Sequence, residues 1–145
     1  MSPTTPTPRL LRARFVALDE TPSPPEGVVV YEAKDPGAAV DEAIASGEPA
    51  PYGAVLWDSA VELARRLHRA DLQGRRVLEL GCGCGLVGIV AARGGARVFV
   101  GDPERAGRDT FIRLLRDANV DVGFDGMVCV LVPPGAKPSE LTPWR

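Results

Sequence analysis

Hydrophobic and polar positions divide the chain into short apolar runs that alternate with helical patterns and turn residues. Strand-like runs lie at 10–18, 28–33, 77–80, 96–100 and 127–132. Apolar positions at helical spacing, together with start and stop signals, predict helices at about 36–46, from about 60 to Gly74, at 86–92 and at about 104–119. From residue 77 onwards strands and helices alternate, and this predicts an α/β fold with a parallel sheet.

The first two helix starts carry capping signals. Asp35 is a typical N-cap residue, and Pro36 suits the first helical position because its missing N–H has no partner there in any case. Ser59 and Glu62 have the spacing of a capping box, which predicts that the second helix begins near Ala60, within a few residues.

The stretch 76–92 predicts a strand, a glycine turn and a buried helix. Gly81, Gly83 and Gly85 remove three Cβ atoms from one turn, which permits positive φ angles and lets a ligand approach bare backbone. The free N–H groups at the start of the following helix would point towards whatever occupies the turn. This pattern is typical of a nucleotide-type binding turn, and a tight buried turn without a ligand is the alternative.

An acidic residue closes the next predicted strand. Asp102 follows Gly81 by 21 residues, and a carboxylate at this place can accept hydrogen bonds from both hydroxyls of a ribose. The alternative is an N-cap for the next helix, which Pro103 at the first helical position supports. The two roles are compatible.

Composition excludes several classes of protein. The chain has 145 residues, of which 45% are hydrophobic, so it can form a core of domain size. Its net charge of -2 gives no electrostatic footprint for nucleic acid, and no apolar run approaches the ~20 residues that cross a bilayer. We expect a cytoplasmic protein without membrane or nucleic-acid partners. An organellar transit peptide stays open as an alternative, because residues 1–16 contain three Arg and no acid.

The three cysteines predict no disulfide framework and no metal site. Cys82, Cys84 and Cys129 lack the spacing of zinc ligands, and their small number suits a reducing compartment. We interpret Cys82 and Cys84 as small apolar residues that line the glycine turn, with a metal or redox pair as the alternative.

The glycine turn also belongs to a longer motif. Residues 83–88 read G-x-G-x-x-G, which by itself also admits a nicotinamide or flavin dinucleotide. With Glu79 in the strand before the glycines, the stretch resembles the first motif, E/D-x-G-x-G-x-G, of the class I (seven-strand) S-adenosylmethionine-dependent methyltransferases. Residues 56–60, L-W-D-S-A, and 88–92, G-I-V-A-A, resemble the protein-lysine methyltransferase group of that class. The resemblance covers residues 52–102.

This resemblance implies a cofactor, S-adenosyl-L-methionine, and the residues that hold it: Trp57, Glu79, Gly81, Cys82, Gly83 and Asp102. The segment 81–83 would pass under the methionine part of the cofactor, and Asp102 would hold the ribose hydroxyls. Glu79 would help to orient the turn. Trp57 would stand beside the cofactor, although a core anchor for its helix is an equal alternative.

The expected organisation is a disordered tail at 1–8, an irregular lead-in of two strands and a helix at 9–50, and a partial S-adenosylmethionine-binding domain at 51–145. A complete fold of this class has seven strands, but only 43 residues follow Asp102. We therefore expect a Rossmann-like fold truncated after two or three parallel strands. The first functional hypothesis is a methyltransferase that acts on lysine side chains of proteins. The second is a non-catalytic remnant that binds the cofactor weakly or acts through a partner. The sequence assigns no catalytic residues.

Overall fold

The computed structural model describes residues 11–19, 21, 23–48, 52–101, 112, 115–117, 120–125, 128–132 and 135. Within these ranges the elements in chain order are β1 (Leu11–Ala17), β2 (Gly27–Ala33), α1 (Pro36–Ser46), a 3-10 turn (Tyr52–Ala54), α2 (Asp58–His68), β3 (Arg76–Glu79), α3 (Leu86–Arg93), β4 (Arg97–Gly101), β5 (Asp121–Asp125) and β6 (Val128–Val132). None of the described helices is long and apolar enough to cross a membrane.

The strands form two sheets. β1 and β2 make an antiparallel hairpin, and a four-stranded sheet has the order β3-β4-β6-β5. β3 and β4 are parallel, with Glu79 beside Val100, whereas β6 runs antiparallel to both β4 and β5. The predicted α/β class is confirmed, and the parallel pair joined through α3 is consistent with a Rossmann-like methyltransferase fold. The strand β5 was not predicted.

Local signals around α1 and α3 agree with the structure. The Asp35 side chain accepts a hydrogen bond from the Ala38 N–H at 3.0 Å, and Pro36 occupies the first turn of α1. Gly47 ends this helix in the left-handed conformation, with φ of 71°. The bounds predicted for α3 are correct to one residue, and Gly94 caps its end.

The predicted start of α2 is correct within the stated few residues, whereas its predicted capping box and its predicted end are wrong. The helix begins at Asp58 with Trp57 as N-cap and no side-chain cap hydrogen bond, so Ser59 lies inside the first turn and forms no capping box. It ends at His68, well before Gly74, which has φ of 70° in the turn that leads into β3. Most of the helix predicted at 104–119 lies outside the described residues. Within that range the structure describes residues 112 and 115–117, and all of them are helical.

The core lies around α3. Six of the eight residues of this helix are buried, because it packs between the hairpin, α2 and the sheet. Inward-facing residues of the hairpin, Val16, Val28 and Val30, belong to the same buried cluster as Val98 and Val100 of β4. The hairpin therefore shares one core with the sheet that carries the glycine turn.

Arginines fix the hairpin to the two helices. The Arg65 Nε of α2 donates to the Ala17 carbonyl at 3.1 Å, and the Arg93 Nη1 of α3 donates to the Gly27 carbonyl at 3.0 Å. Both bonds satisfy backbone oxygens at the turn end of the hairpin. This end is therefore tied to α2 and α3 by side chains as well as by apolar packing.

Candidate functional site

The glycine turn between β3 and α3 has the backbone that the sequence predicts. Gly81, Gly83 and Gly85 have φ of 70°, 51° and 79°, a region that residues with a Cβ rarely adopt. A Cβ built on Gly81 meets no atom within 4 Å, and one built on Gly83 meets only the Gly53 carbonyl at 3.9 Å. The turn thus presents backbone that a ligand can approach closely.

This turn forms the floor of an open groove of about 450 Å³ between α2 and β3. That volume lies within the range of small-molecule sites, roughly 300–1,000 Å³. The walls are mostly apolar, and they include Leu63 of α2, Leu78 of β3 and Leu80, which follows that strand. The arrangement offers an apolar cleft with bare backbone at one end.

Five of the six residues implied by the family resemblance line this groove: Trp57, Glu79, Gly81, Cys82 and Gly83. Trp57 is 51% exposed, so its side chain is available at the groove and is not a buried anchor for α2.

The sixth residue, Asp102, lies outside the described residues. It follows Gly101, the last residue of β4, whose parallel pairing with β3 brings the carboxyl ends of both strands to one edge of the sheet. In open α/β sheets, ligands bind at this edge.

Glu79 and Gly88 contact each other at the base of the turn. A Cβ on Gly88 would overlap the Glu79 Oε2 and would stand 3.2 Å from the Leu131 Cδ1. A glycine at this position therefore lets the carboxyl lie against the first turn of α3. Oε2 is buried and has no hydrogen-bond partner in the described part of the chain. Burial raises the pKa of Glu79 to about 7, although the nearby backbone N–H of Gly88 opposes the shift.

The two cysteines of the turn are packed as small apolar side chains. Cys82 and Cys84 are partly buried against the core cluster, and the Cys84 Sγ lies 3.7 Å from the Gly53 carbonyl. Burial, assisted by the charge of Glu32 and by Cys82, raises the pKa of the Cys84 thiol to about 11. Because the thiolate is the nucleophile and the metal ligand, this environment favours the packing role over a redox or metal role.

Sequence reasoning missed one charged cluster near the turn. Glu32 of β2 is only 2% exposed, and its Oε1 accepts from the Arg12 Nε at 2.9 Å and lies 3.4 Å from the Arg14 Nη1. Burial alone would raise the pKa of Glu32, but the hydrogen bond from Arg12 and the charges of both arginines hold it below its ordinary value. The sequence did contain a signal for Glu32. Alternate residues of a strand share one face, so Val28, Val30 and Glu32 lie on the core face of β2, which puts a carboxylate there.

Comparison with known proteins gives a match over the same region. A family model described as "Lysine methyltransferase" matches residues 43–122, more than half of the chain. The matched range contains α2, β3, the glycine turn, α3 and β4.

Individual relatives align over a shorter stretch. Protein N-lysine methyltransferase METTL21A of Danio rerio is 56% identical over 55 residues, 37% of this chain and 25% of that protein. Histone-arginine methyltransferase METTL23 of Xenopus laevis is 49% identical over 53 residues, 35% and 23% of the two chains. Histidine protein methyltransferase 1 homolog of Bos taurus is 43% identical over 47 residues, 31% and 13%. The chain thus spans a quarter or less of the length of these relatives.

Proposed function

Because the chain belongs to the lysine methyltransferase family, we propose that it binds S-adenosyl-L-methionine in the groove between α2 and β3 and serves methyl transfer to a protein. The observation that carries the proposal is the glycine turn, whose positive φ angles expose backbone at the end of an apolar groove. Methyltransferase relatives imply a donor of this type.

The residues implied by the family resemblance have proposed roles towards this cofactor. As the family resemblance implies, the segment 81–83 would lie under the methionine part, and a Cβ at Gly81 or Gly83 would occupy the space through which a ligand reaches the backbone. The exposed indole of Trp57 stands beside the cofactor, and Asp102 accepts hydrogen bonds from the ribose hydroxyls. The bound cofactor supplies a methyl group on a sulfonium, and the protein aligns it and excludes water.

The proposed acceptor is a side-chain nitrogen of a protein, with lysine as the first candidate. The three relatives carry names that specify lysine, arginine and histidine, which all present nitrogen to the methyl donor. A lysine nucleophile must be neutral, although its usual pKa is ~10.4. Desolvation or a nearby carboxylate would therefore have to lower the pKa of the lysine during transfer.

The proposed setting is a reducing, cytoplasm-like compartment, with protein and not nucleic acid as the partner. Cys82 and Cys84 are thiols and not members of a disulfide, which suits a reducing environment. The net charge of -2 also makes a polyanionic partner unfavourable.

Calorimetric titration with S-adenosylhomocysteine, NAD and FAD tests the cofactor assignment. We expect the chain to bind S-adenosylhomocysteine more tightly than either dinucleotide. Gly83→Arg should abolish the binding, because the side chain fills the turn and its φ of 51° strains any residue with a Cβ. The matched control is Gly37→Arg on the exposed first turn of α1, where no positive φ is required. Tighter binding of NAD, or equal loss in both variants, would refute the proposal.

A further inference from the structure

The Arg12, Arg14 and Glu32 cluster is linked to the glycine turn through β2 and the 3-10 turn. Glu32 belongs to β2, which contacts the 3-10 turn at 52–54. The Gly53 carbonyl of that turn faces both Gly83 and the Cys84 Sγ. The charge of Glu32 is close enough to contribute to the raised pKa of Cys84. A short chain of contacts therefore connects the cluster to the end of the groove.

The cluster carries one more positive charge than Glu32 neutralises. Both arginines contact the same carboxylate oxygen, Oε1, and the two short contacts belong to Arg12, through Nη2 at 2.8 Å and Nε at 2.9 Å. Arg14 makes a single longer contact of 3.4 Å through Nη1. Its Nε and Nη2 have no protein partner among the described residues, and its side chain is 44% exposed. Arg14 thus retains donors that can bind an anion.

Stability alone does not account for this arrangement. A buried carboxylate with two arginines loses hydration, and such clusters often contribute little net stability compared with apolar packing. A guanidinium whose free donors form a planar fork matches a carboxylate, which accepts two parallel hydrogen bonds. Two arginines and one glutamate leave one net positive charge, which a single monoanion would neutralise.

We propose that Arg14, held in place by Glu32 and assisted by Arg12, binds a carboxylate at the side of the cofactor groove. This inference rests on the proposed function. The carboxylate has two sources in that setting: the amino-acid end of S-adenosylmethionine, or an acidic residue of the protein substrate next to the target nitrogen. Glu32 acts as a positioning residue, because it orients both guanidinium groups.

The test compares Arg14→Gln with the unaltered chain. Arg12 keeps its two short contacts with Glu32 in this variant, so the buried carboxylate stays paired. Calorimetry uses S-adenosylhomocysteine and 5′-methylthioadenosine, which shares the thioether and adenosine but lacks the amino-acid carboxylate. A second pair of probes consists of lysine peptides with glutamate or glutamine flanks. Arg66→Gln on α2, which removes an equally charged and more exposed side chain, is the matched control.

If the cofactor supplies the carboxylate, Arg14→Gln weakens binding of S-adenosylhomocysteine by about ten-fold or more and leaves 5′-methylthioadenosine unchanged. If the substrate supplies it, the loss appears only with the glutamate-flanked peptide. Arg14→Lys keeps the charge without the fork, so it should restore part of the lost affinity. Thermal denaturation confirms that each variant is folded.

The inference is overturned if Arg14→Gln binds every probe as the unaltered chain does, or weakens S-adenosylhomocysteine and 5′-methylthioadenosine equally. In both cases the proposed function survives, since the unaltered chain still binds the cofactor analogue. Failure of the unaltered chain to bind S-adenosylhomocysteine would refute the proposed function and this inference with it.

Discussion

Replacement of Glu79 should change how the stability of the chain depends on pH. The pKa of this carboxyl is raised from 4.5 to about 7 by burial, so the folded state holds its proton more tightly than the unfolded state does. Below about pH 4.5 both states are protonated and the group contributes nothing. Between about 4.5 and 7 only the unfolded state loses its proton, so the free energy of unfolding falls as pH rises. Above about pH 7 both states have lost the proton, and the destabilisation of the folded state has reached its full value.

The size of this effect follows from the shift. A rise in pKa from 4.5 to about 7 corresponds to at most about 3–4 kcal/mol, since one pKa unit is worth 1.36 kcal/mol. The carboxyl retains some contact with solvent, which reduces the expected value to about 1–3 kcal/mol. The Gln side chain keeps the shape of Glu79 and cannot ionise. Glu79→Gln should therefore unfold with the same free energy from about pH 5 to about pH 8.

Urea denaturation across this range measures both proteins. Each carries His68→Asn in addition, so that the single histidine of the chain does not contribute to the comparison. Glu32 does not interfere, because its pKa is lowered and it takes up a proton only in more acidic solution. An equal decrease in both proteins, or a stability of the Glu79 form that rises towards pH 8, would refute the reasoning about this carboxyl.

Three further outcomes are expected. Asp102→Ala should weaken S-adenosylhomocysteine binding by about 1.5–3 kcal/mol through lost charged hydrogen bonds, whereas the control Asp41→Ala on α1 should not. If calorimetry gives the two variants equal affinities, Asp102 does not bind the ribose. Sedimentation should show self-association, because β3 borders the described sheet with Leu78 69% and Leu80 84% exposed, and Leu78→Lys should reduce it; a monomer at all concentrations would contradict this. The chain alone should transfer no methyl group at a useful rate, since its described groove residues position only the donor; labelling of a cell extract by radioactive S-adenosylmethionine above a Gly83→Arg control would show otherwise.

The parts of the fold that depend on local signals could be predicted from the sequence. The cap at Asp35 and the glycine turn are set by neighbouring residues and by backbone sterics, so their positions follow from spacing. The start of α2 shows the limit of such signals. Ser59 suggested a capping box, but the helix begins at Asp58, whose acidic side chain in the first turn also suits the helix dipole.

Other features depend on pairing between distant segments. Spacing could not predict that β6 would run antiparallel beside β4, because the orientation is fixed by contacts between strands and by the hairpin with β5. The ion pairs of Glu32 with Arg12 and Arg14 likewise require the register of β1 against β2. The glycines, Trp57 and Glu79, which line the groove, could be identified through a motif, whereas the arginine cluster could not.

An NMR titration of the isotope-labelled chain with S-adenosylhomocysteine tests the central claim most directly, because it locates the ligand as well as detecting it. The account predicts saturable shifts that are largest at the amides of residues 80–86 and at the Trp57 indole N–H. Amides around His68 and Arg93, which line a separate pocket of about 240 Å³ by the hairpin, should not change. Shifts that are largest at this second pocket, or no saturable shift at the glycine turn, would contradict the account.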